Sequence, residues 1–243
     1  MFRRPEHRLI AEALAAMNAP FLLQTRCYFG GGTAIVLQNG EYRLSLDVDF
    51  LCADRDGYRE LRTAVTRHGA AALFGPEVRT VREFRTDHYG LRALLSLREQ
   101  PIKFEIIREA RVELQGALSP LGVPVLALAD QVTEKLLANA DRCLDRSVAY
   151  RDAIDLGYLL RSTQGRFPAD AVAKAEAAYG EDVGRKLFQV LDRLAAEDER
   201  RYAAATLRMP LADADAAVAF LRAATLAVWP EGRFGGGRLN PQG

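Results

Sequence analysis

The hydrophobic period of the chain changes once, near residue 120, and that change bounds the folds open to it. Upstream, LSLDVDFL (44–51), VRTVREFR (78–85), LRALLSLR (91–98) and IKFEIIRE (102–109) are short and rich in β-formers. Such runs read as strands. The last three are separated by residues 87–90 and 99–101, which read as hairpin turns. Helical spacing is interleaved with them at about 5–17, 33–38 and 56–69. Downstream of GALSPLGVPVL (116–126) only alanine-rich helical periodicity remains, at about 128–140, 148–162, 168–178, 181–195 and 213–227. The pattern predicts an α+β chain. Residues 1–120 form a mixed β-sheet with flanking helices, and residues 121–230 form a helical domain. The tail, 231–243, has no periodicity and is expected to be disordered. Trp229, beside Pro230, is expected to anchor the last helix.

Composition narrows the function classes. Apolar residues are 49% and charged residues 27% of 243, as in ordinary globular proteins. The formal net charge of +1 excludes a global field drawing the protein to nucleic acid or membrane. Cys27, Cys52 and Cys143 lack metal-type spacing and are expected to be reduced thiols, which fits a cytoplasmic protein. The N-terminus is basic but has no signal-peptide core, and no apolar run reaches the roughly 18–20 residues of a membrane span. His7, His68 and His88 share no spacing that suggests a metal site or a triad, and are left as surface or core histidines.

The chemistry concentrates in FGGGTAIVLQNGEYRLSLDVDF (29–50). Alternation on a strand points Asp47 and Asp49 to one face, with Val48 and Phe50 on the other. Two carboxylates about 4 Å apart repel by about 4 kcal/mol at an effective dielectric of about 20. A divalent cation offsets this, and Mg²⁺ is commonly held by carboxylates plus substrate phosphates. Glycines 30–32 permit close backbone approach to a ligand, and the helix expected from Thr33 aims its positive end at the same place. An anion cradle followed by a metal-binding pair suits a nucleoside triphosphate with its metal. Glu105, in IKFEII, is a candidate third ligand or general base from a neighbouring strand. The alternative is a surface pair with Lys103 on an edge strand.

GGTAI (31–35), R-x-S-x-D-x-D-F (43–50) and the KFEI strand resemble the nucleotidyltransferase superfamily, more narrowly the AbiEii toxin family of toxin–antitoxin pairs. VPVLALADQVTEKL (123–136) resembles the start of that family's helical part, and YRDAIDLGYLL (150–160) its arginine–aspartate motif. The resemblance covers most of residues 29–160. It implies a nucleotidyltransferase-like fold, and backbone contact of Gly31 and Gly32 with the triphosphate, assisted by the Thr33 hydroxyl. Arg43 and Ser45 fall among its nucleotide-binding positions. Mg²⁺ would be held by Asp47 and Asp49, with Glu105 where many superfamily members place a third carboxylate, commonly aspartate. Lys135 would reach phosphates, and Asp152 would orient Lys135 or assist proton removal. Asp155 shares the Asp152 helix face and could serve instead. From the residues alone, Lys135 is a helix lysine whose stem snorkels across the core edge.

By the same resemblance the chain is expected to transfer a nucleotide from an NTP, CTP being one donor, to an acceptor hydroxyl. A tRNA 3′ end is the expected acceptor, and a cognate antitoxin an expected partner. The alternatives are modification of a protein or of a small molecule such as an antibiotic, or an inactive module that binds a nucleotide or partner. Arg142, Arg146, Arg151, Arg185, Arg193, Arg200 and Arg201 are candidate RNA contacts. Solvated helix faces are the alternative for most of them.

Overall fold

The computed structural model describes residues 2–230, and the tail expected to be disordered lies outside the described residues. The chain divides into two compact units, one ending at Gln131 and one beginning at Val132.

The first unit begins with α1 (Pro5–Ala15), whose proline occupies the first turn where no backbone donor is needed. It continues with α2 (Ala19–Gln24), β1 (Cys27–Phe29), α3 (Gly31–Gln38), β2 (Val48–Cys52) and α4 (Arg55–His68). Then come β3 (Arg79–Thr86), β4 (Gly90–Leu97), β5 (Gln100–Arg108), β6 (Gly116–Leu118) and β7 (Pro124–Leu126). The strands form one sheet in the order β3-β4-β5-β2-β1-β7-β6. β2 runs parallel to β5 and β1 parallel to β7, while the other neighbours are antiparallel.

Period-two burial sorts the two faces of the sheet. On β5, Ile102, Phe104 and Ile106 are buried, while Lys103 and Glu105 point the other way. The buried face carries the core. Phe50 stacks tilted on Phe29 and Phe104 at 5.3 and 5.9 Å between centroids, and Phe74 meets Phe104 edge-on at 5.1 Å. Helix α4 lays Tyr58, Leu61 and Val65 against this core. Asp54 caps it by accepting the Gly57 N–H at 2.6 Å.

Several local expectations are corrected. The strand expected at 44–51 begins only at Val48, and residues 44–47 lie outside any ladder. On the β1 side the pairing stops where Phe29 meets Phe50, because the chain leaves the sheet there to start α3. Helix α3 starts at Gly31 rather than Thr33. β5 is a central strand between β4 and β2, so Glu105 is not on an edge. The Gly/Pro stretch at 116–126 itself supplies β6 and β7.

Helix α5 (Leu128–Arg142) starts in the first unit and continues into the second. The second unit adds α6 (Arg151–Ser162), α7 (Ala169–Tyr179), α8 (Asp182–Arg193), α9 (Glu197–Thr206) and α10 (Leu211–Val228). Trp229 is fully buried, edge-on to Phe167 at 5.6 Å, and its indole N–H donates to Glu176 at 2.7 Å. All three cysteines are free and buried, with Cys27 opposite Cys52 in the β1–β2 ladder. Among the described residues no helix is long and apolar enough to cross a membrane.

Candidate active site

The start of α3 is seated against β2. The Gly30 N–H donates to the Asp49 carbonyl at 2.9 Å, which brings the helix N-terminus beside that carboxylate. Gly31 has φ +66°, and a Cβ built there would lie 2.8 Å from Asp49 Oδ2. A side chain at Gly31 is therefore excluded both by backbone conformation and by the carboxylate. Gly32 makes room of another kind: its Cβ would lie 2.2 Å from Arg43 Nη2. No side chain caps α3.

The other first-unit residues gather around this contact. Thr33 is buried and its hydroxyl donates to Ser45 Oγ at 2.9 Å. Arg43 is buried as well, and donates to the Leu44 carbonyl at 2.9 Å. Asp47 and Asp49 are both half-buried. Parallel register places Asp49 level with Glu105, and antiparallel register places Glu105 level with Arg92. Arg92 binds the Glu105 carboxylate and also reaches Asp87 at 3.2 Å. Lys103, one pleat earlier on the Glu105 face, lies 3.6 Å from Asp47. The pair weighed from the sequence, Glu105 with Lys103, is thus replaced by two pairs, Arg92–Glu105 and Lys103–Asp47. Among the described residues no group of three or more His, Cys, Asp or Glu side chains gathers as a metal cage.

His7 and Glu41 were not singled out as site residues by sequence reasoning, yet they hold the segment that carries Arg43, Ser45 and Asp47. His7 is fully buried on α1. Its Nδ1 lies 2.9 Å from Glu41 Oε1, and its Nε2 accepts the Ser45 N–H at 3.3 Å. A backbone N–H can only donate, so Nε2 is unprotonated and Nδ1–H points at Glu41. Glu41 also accepts the Arg3 and Arg4 N–H groups at 2.6 and 3.0 Å. Burial pushes the Glu41 carboxyl up, but these donors and His7 outweigh it and bring the pKa from 4.5 to about 2. The partners are 34 residues apart in the chain, and no spacing rule could have joined them.

The second unit contains its own charge cluster. Lys135 on α5 places its ammonium 2.8 Å from Asp152 Oδ1 and 2.7 Å from Asp155 Oδ2, both on α6. Its side chain is only 6% exposed, so the ammonium is enclosed rather than snorkelling to solvent. Arg142, about two helical turns along α5, grips Asp152 at 2.6 and 2.9 Å. Burial raises the Asp152 carboxyl, but Lys135 and Arg142 outweigh it and hold it well below the usual carboxylate range. Two cations thus balance two buried carboxylates, and Lys135 binds Asp152 and Asp155 alike. Four of the other helix arginines are also paired: Arg146 with Glu199 at 3.0 Å, Arg200 with Asp215 at 2.6 Å, Arg185 with Asp182 and Arg201 with Glu197.

Residues 12–224 match the family described as Nucleotidyl transferase AbiEii toxin, Type IV TA system. The chain belongs to the AbiEii nucleotidyltransferase toxin family. Two solved structures from Helicobacter pylori are similar to it in fold. One, JHP933, has a TM-score of 0.57 at 15% identity, covering 94% of this chain and 95% of its own. The other, described as a "putative nucleotidyltransferase", has a TM-score of 0.53 at 18% identity, covering 91% of this chain and 94% of its own. At these identities the likeness shows the fold alone. No curated protein matches the chain.

For this AbiEii-family chain, two variants test the networks that hold the site segments. Glu41→Gln is expected to lower unfolding free energy at pH 7 by about 1.5–3 kcal/mol, the range for hydrogen bonds to a charged group. Because the folded pKa lies below the ordinary 4.5, this contribution is present above pH 4.5 and is lost as pH falls towards 2. Urea titrations from pH 7 to 2 should therefore show wild type and Glu41→Gln converging at the acid end. Lys135→Ala leaves one net negative charge among buried groups, and is expected to cost about 3–5 kcal/mol in the same assay. A change below 1 kcal/mol would show that Lys135 is not needed to neutralise the pair.

Proposed function

We propose that the protein is a magnesium-dependent enzyme that transfers a nucleotide from a nucleoside triphosphate to a hydroxyl of an RNA acceptor. The observation that carries this reading is the seating of the Asp49 carboxylate against Gly31, at a helix start no side chain caps. A helix N-terminus favours phosphate, and adjacent half-exposed carboxylates favour the cation that accompanies it.

The donor set fits magnesium. Carboxylate oxygens are hard ligands, and Mg²⁺ is usually bound by one or two carboxylates with phosphate oxygens and water filling the other positions. Asp47 and Asp49 would hold it. Glu105 is engaged by Arg92, so its part is to fix Arg92 beside the pair rather than to supply a third ligand. Lys103 is exposed and 3.6 Å from Asp47, a contact of little strength that is readily given up. When bound, the metal supplies charge neutralisation on the triphosphate and lowers the pKa of the attacking hydroxyl.

The chain's own residues then position the reactants. The first-turn amides of α3, at Gly31 and Gly32, face the phosphates. Thr33 and Ser45, joined by their hydroxyls, fix the segment leading to Asp47. Arg43 lies buried behind Gly32 and adds positive potential there. Such positioning and electrostatic preorganisation is the protein's usual share in phosphoryl transfer. Lys135, with Asp152 and Asp155, is proposed to shape the helical unit's charge rather than to swing freely onto a phosphate, because both carboxylates already bind it. A cognate antitoxin partner is what the type IV toxin–antitoxin family affiliation supports; CTP as donor and a tRNA 3′ end as acceptor are proposed by analogy alone.

The test is transfer itself. Wild type incubated with each α-labelled triphosphate, Mg²⁺ and total RNA should label a small-RNA band. Asp47→Asn and Asp49→Asn should each lower labelling by about 10²-fold or more, the scale for losing one preorganised charge-stabilising group. Their circular dichroism and melting temperature should stay close to wild type. Label appearing only on protein or on an aminoglycoside would overturn the RNA acceptor. Equal labelling by wild type and Asp49→Asn would overturn the site.

A further inference from the structure

Helix α4 carries Arg55, Arg59 and Arg62 at spacing i, i+4, i+7, which puts them on one face. That face lines a cleft of about 210 Å³ completed by Tyr58, by His88 from the β3–β4 turn and by Arg108 at the end of β5. Four guanidinium groups and an imidazole therefore surround one small cleft in a chain whose net charge is only +1.

The cleft is built rather than incidental. The Tyr58 hydroxyl on α4 donates to the Asp87 carbonyl at 2.8 Å, and the Arg108 N–H donates to the Tyr89 carbonyl at 2.8 Å. These two bonds tie helix, turn and strand end together and hold the basic groups around one opening. The nearby carboxylates are mostly engaged elsewhere. Asp87 accepts the Tyr89 and Gly90 N–H groups and pairs with Arg92. Asp54 caps α4 and faces Arg26 at 3.9 Å. Arg59 has an acidic neighbour, Asp56 at 3.2 Å, and that pair is exposed. The N-terminal end of α4 adds its own partial positive charge.

We infer that this cleft binds the phosphodiester backbone of a nucleic acid. The arginine row on α4 is about 10 Å long at 1.5 Å per residue. A helical nucleic-acid strand presents one phosphate per roughly 3.4 Å of axis, so the row faces about three phosphates, more than a single phosphate group could occupy. Guanidinium forks bind phosphate oxygens in bidentate fashion, which suits arginine at every position of the row. The cleft is not the carboxylate site: Arg108 pairs with Cys52, three residues beyond the Asp49–Glu105 level and about 10 Å along the strands. A backbone held here leaves Asp47 and Asp49 open. The inference deepens the acceptor reading above and rests on it for the class of probe, but its test requires no transfer.

Fluorescence anisotropy of a labelled 20-nucleotide single-stranded RNA, titrated with full-length protein free of triphosphate and metal, reads binding directly. The triple variant Arg55→Ala, Arg62→Ala, Arg108→Ala should weaken binding by about tenfold or more. It should also reduce the slope of log affinity against log salt by about 2, from three contacts at about 0.7 each. A control triple of scattered exposed arginines, Arg8→Ala, Arg67→Ala, Arg79→Ala, makes the same charge change and should move affinity less than twofold. Melting curves of both triples establish that each remains folded. Equal losses in the two triples, or no loss in the first, would overturn the inference. So would inorganic phosphate raising the melting temperature of wild type but not of the cleft triple while RNA affinity stays unchanged, since that assigns the cleft to small phosphates. Asp49→Asn should bind RNA as wild type does, so failure of the transfer reading and failure of this one give different results.

Discussion

The approach of Gly31 to the Asp49 carboxylate is the contact on which the proposed site depends. One backbone hydrogen bond, from the Gly30 N–H to the Asp49 carbonyl, sets the start of α3 against β2, and two missing side chains make the fit possible. At Gly31 any side chain would collide with Asp49 in a left-handed backbone conformation, and at Gly32 with the buried guanidinium of Arg43. The glycine run is therefore more than a flexible loop. It brings a helix N-terminus, a buried cation and a carboxylate close together.

Charge compensation around the pair is distributed across strands. Read from the sequence, Asp47 and Asp49 repel and call for an external cation. In the structure, register brings Lys103 to Asp47 and Arg92 to Glu105, so part of that repulsion is already offset by the protein. The two compensations are unequal. Arg92 is engaged with both Glu105 and Asp87, whereas Lys103 is solvated and meets Asp47 at 3.6 Å. Arg92 holds Glu105 in a pair of its own, which is why the proposal assigns the metal to two carboxylates rather than three.

The long, periodic elements were legible in the sequence for a physical reason: eight or more residues of consistent burial leave a pattern. β4, β5 and the helices α4, α6, α7, α8 and α10 stand close to their expected bounds, and so does β3, which is mostly exposed and was legible from its β-forming residues. β1, β6 and β7 have three residues each, too few for a period, and exist because neighbouring strands pair with them. α9 was missed because its buried face is alanine alone, at Ala203 and Ala204. Within the site, the types of residue were readable but their partners were not. Lys103–Asp47, Arg92–Glu105 and His7–Glu41 all depend on register or tertiary packing between distant segments. The enclosure of Lys135 by Asp152 and Asp155 likewise follows from two helices meeting, not from any local pattern.

The central claim is that Asp47 and Asp49, beside the start of α3, hold a magnesium–triphosphate. Isothermal titration with a triphosphate analogue uncleavable between the α- and β-phosphates tests it most directly, run with Mg²⁺ and again with EDTA. The account predicts saturable heat for wild type with Mg²⁺, and its loss both in EDTA and in the Asp49→Asn protein. Equal affinity in all three titrations would contradict it.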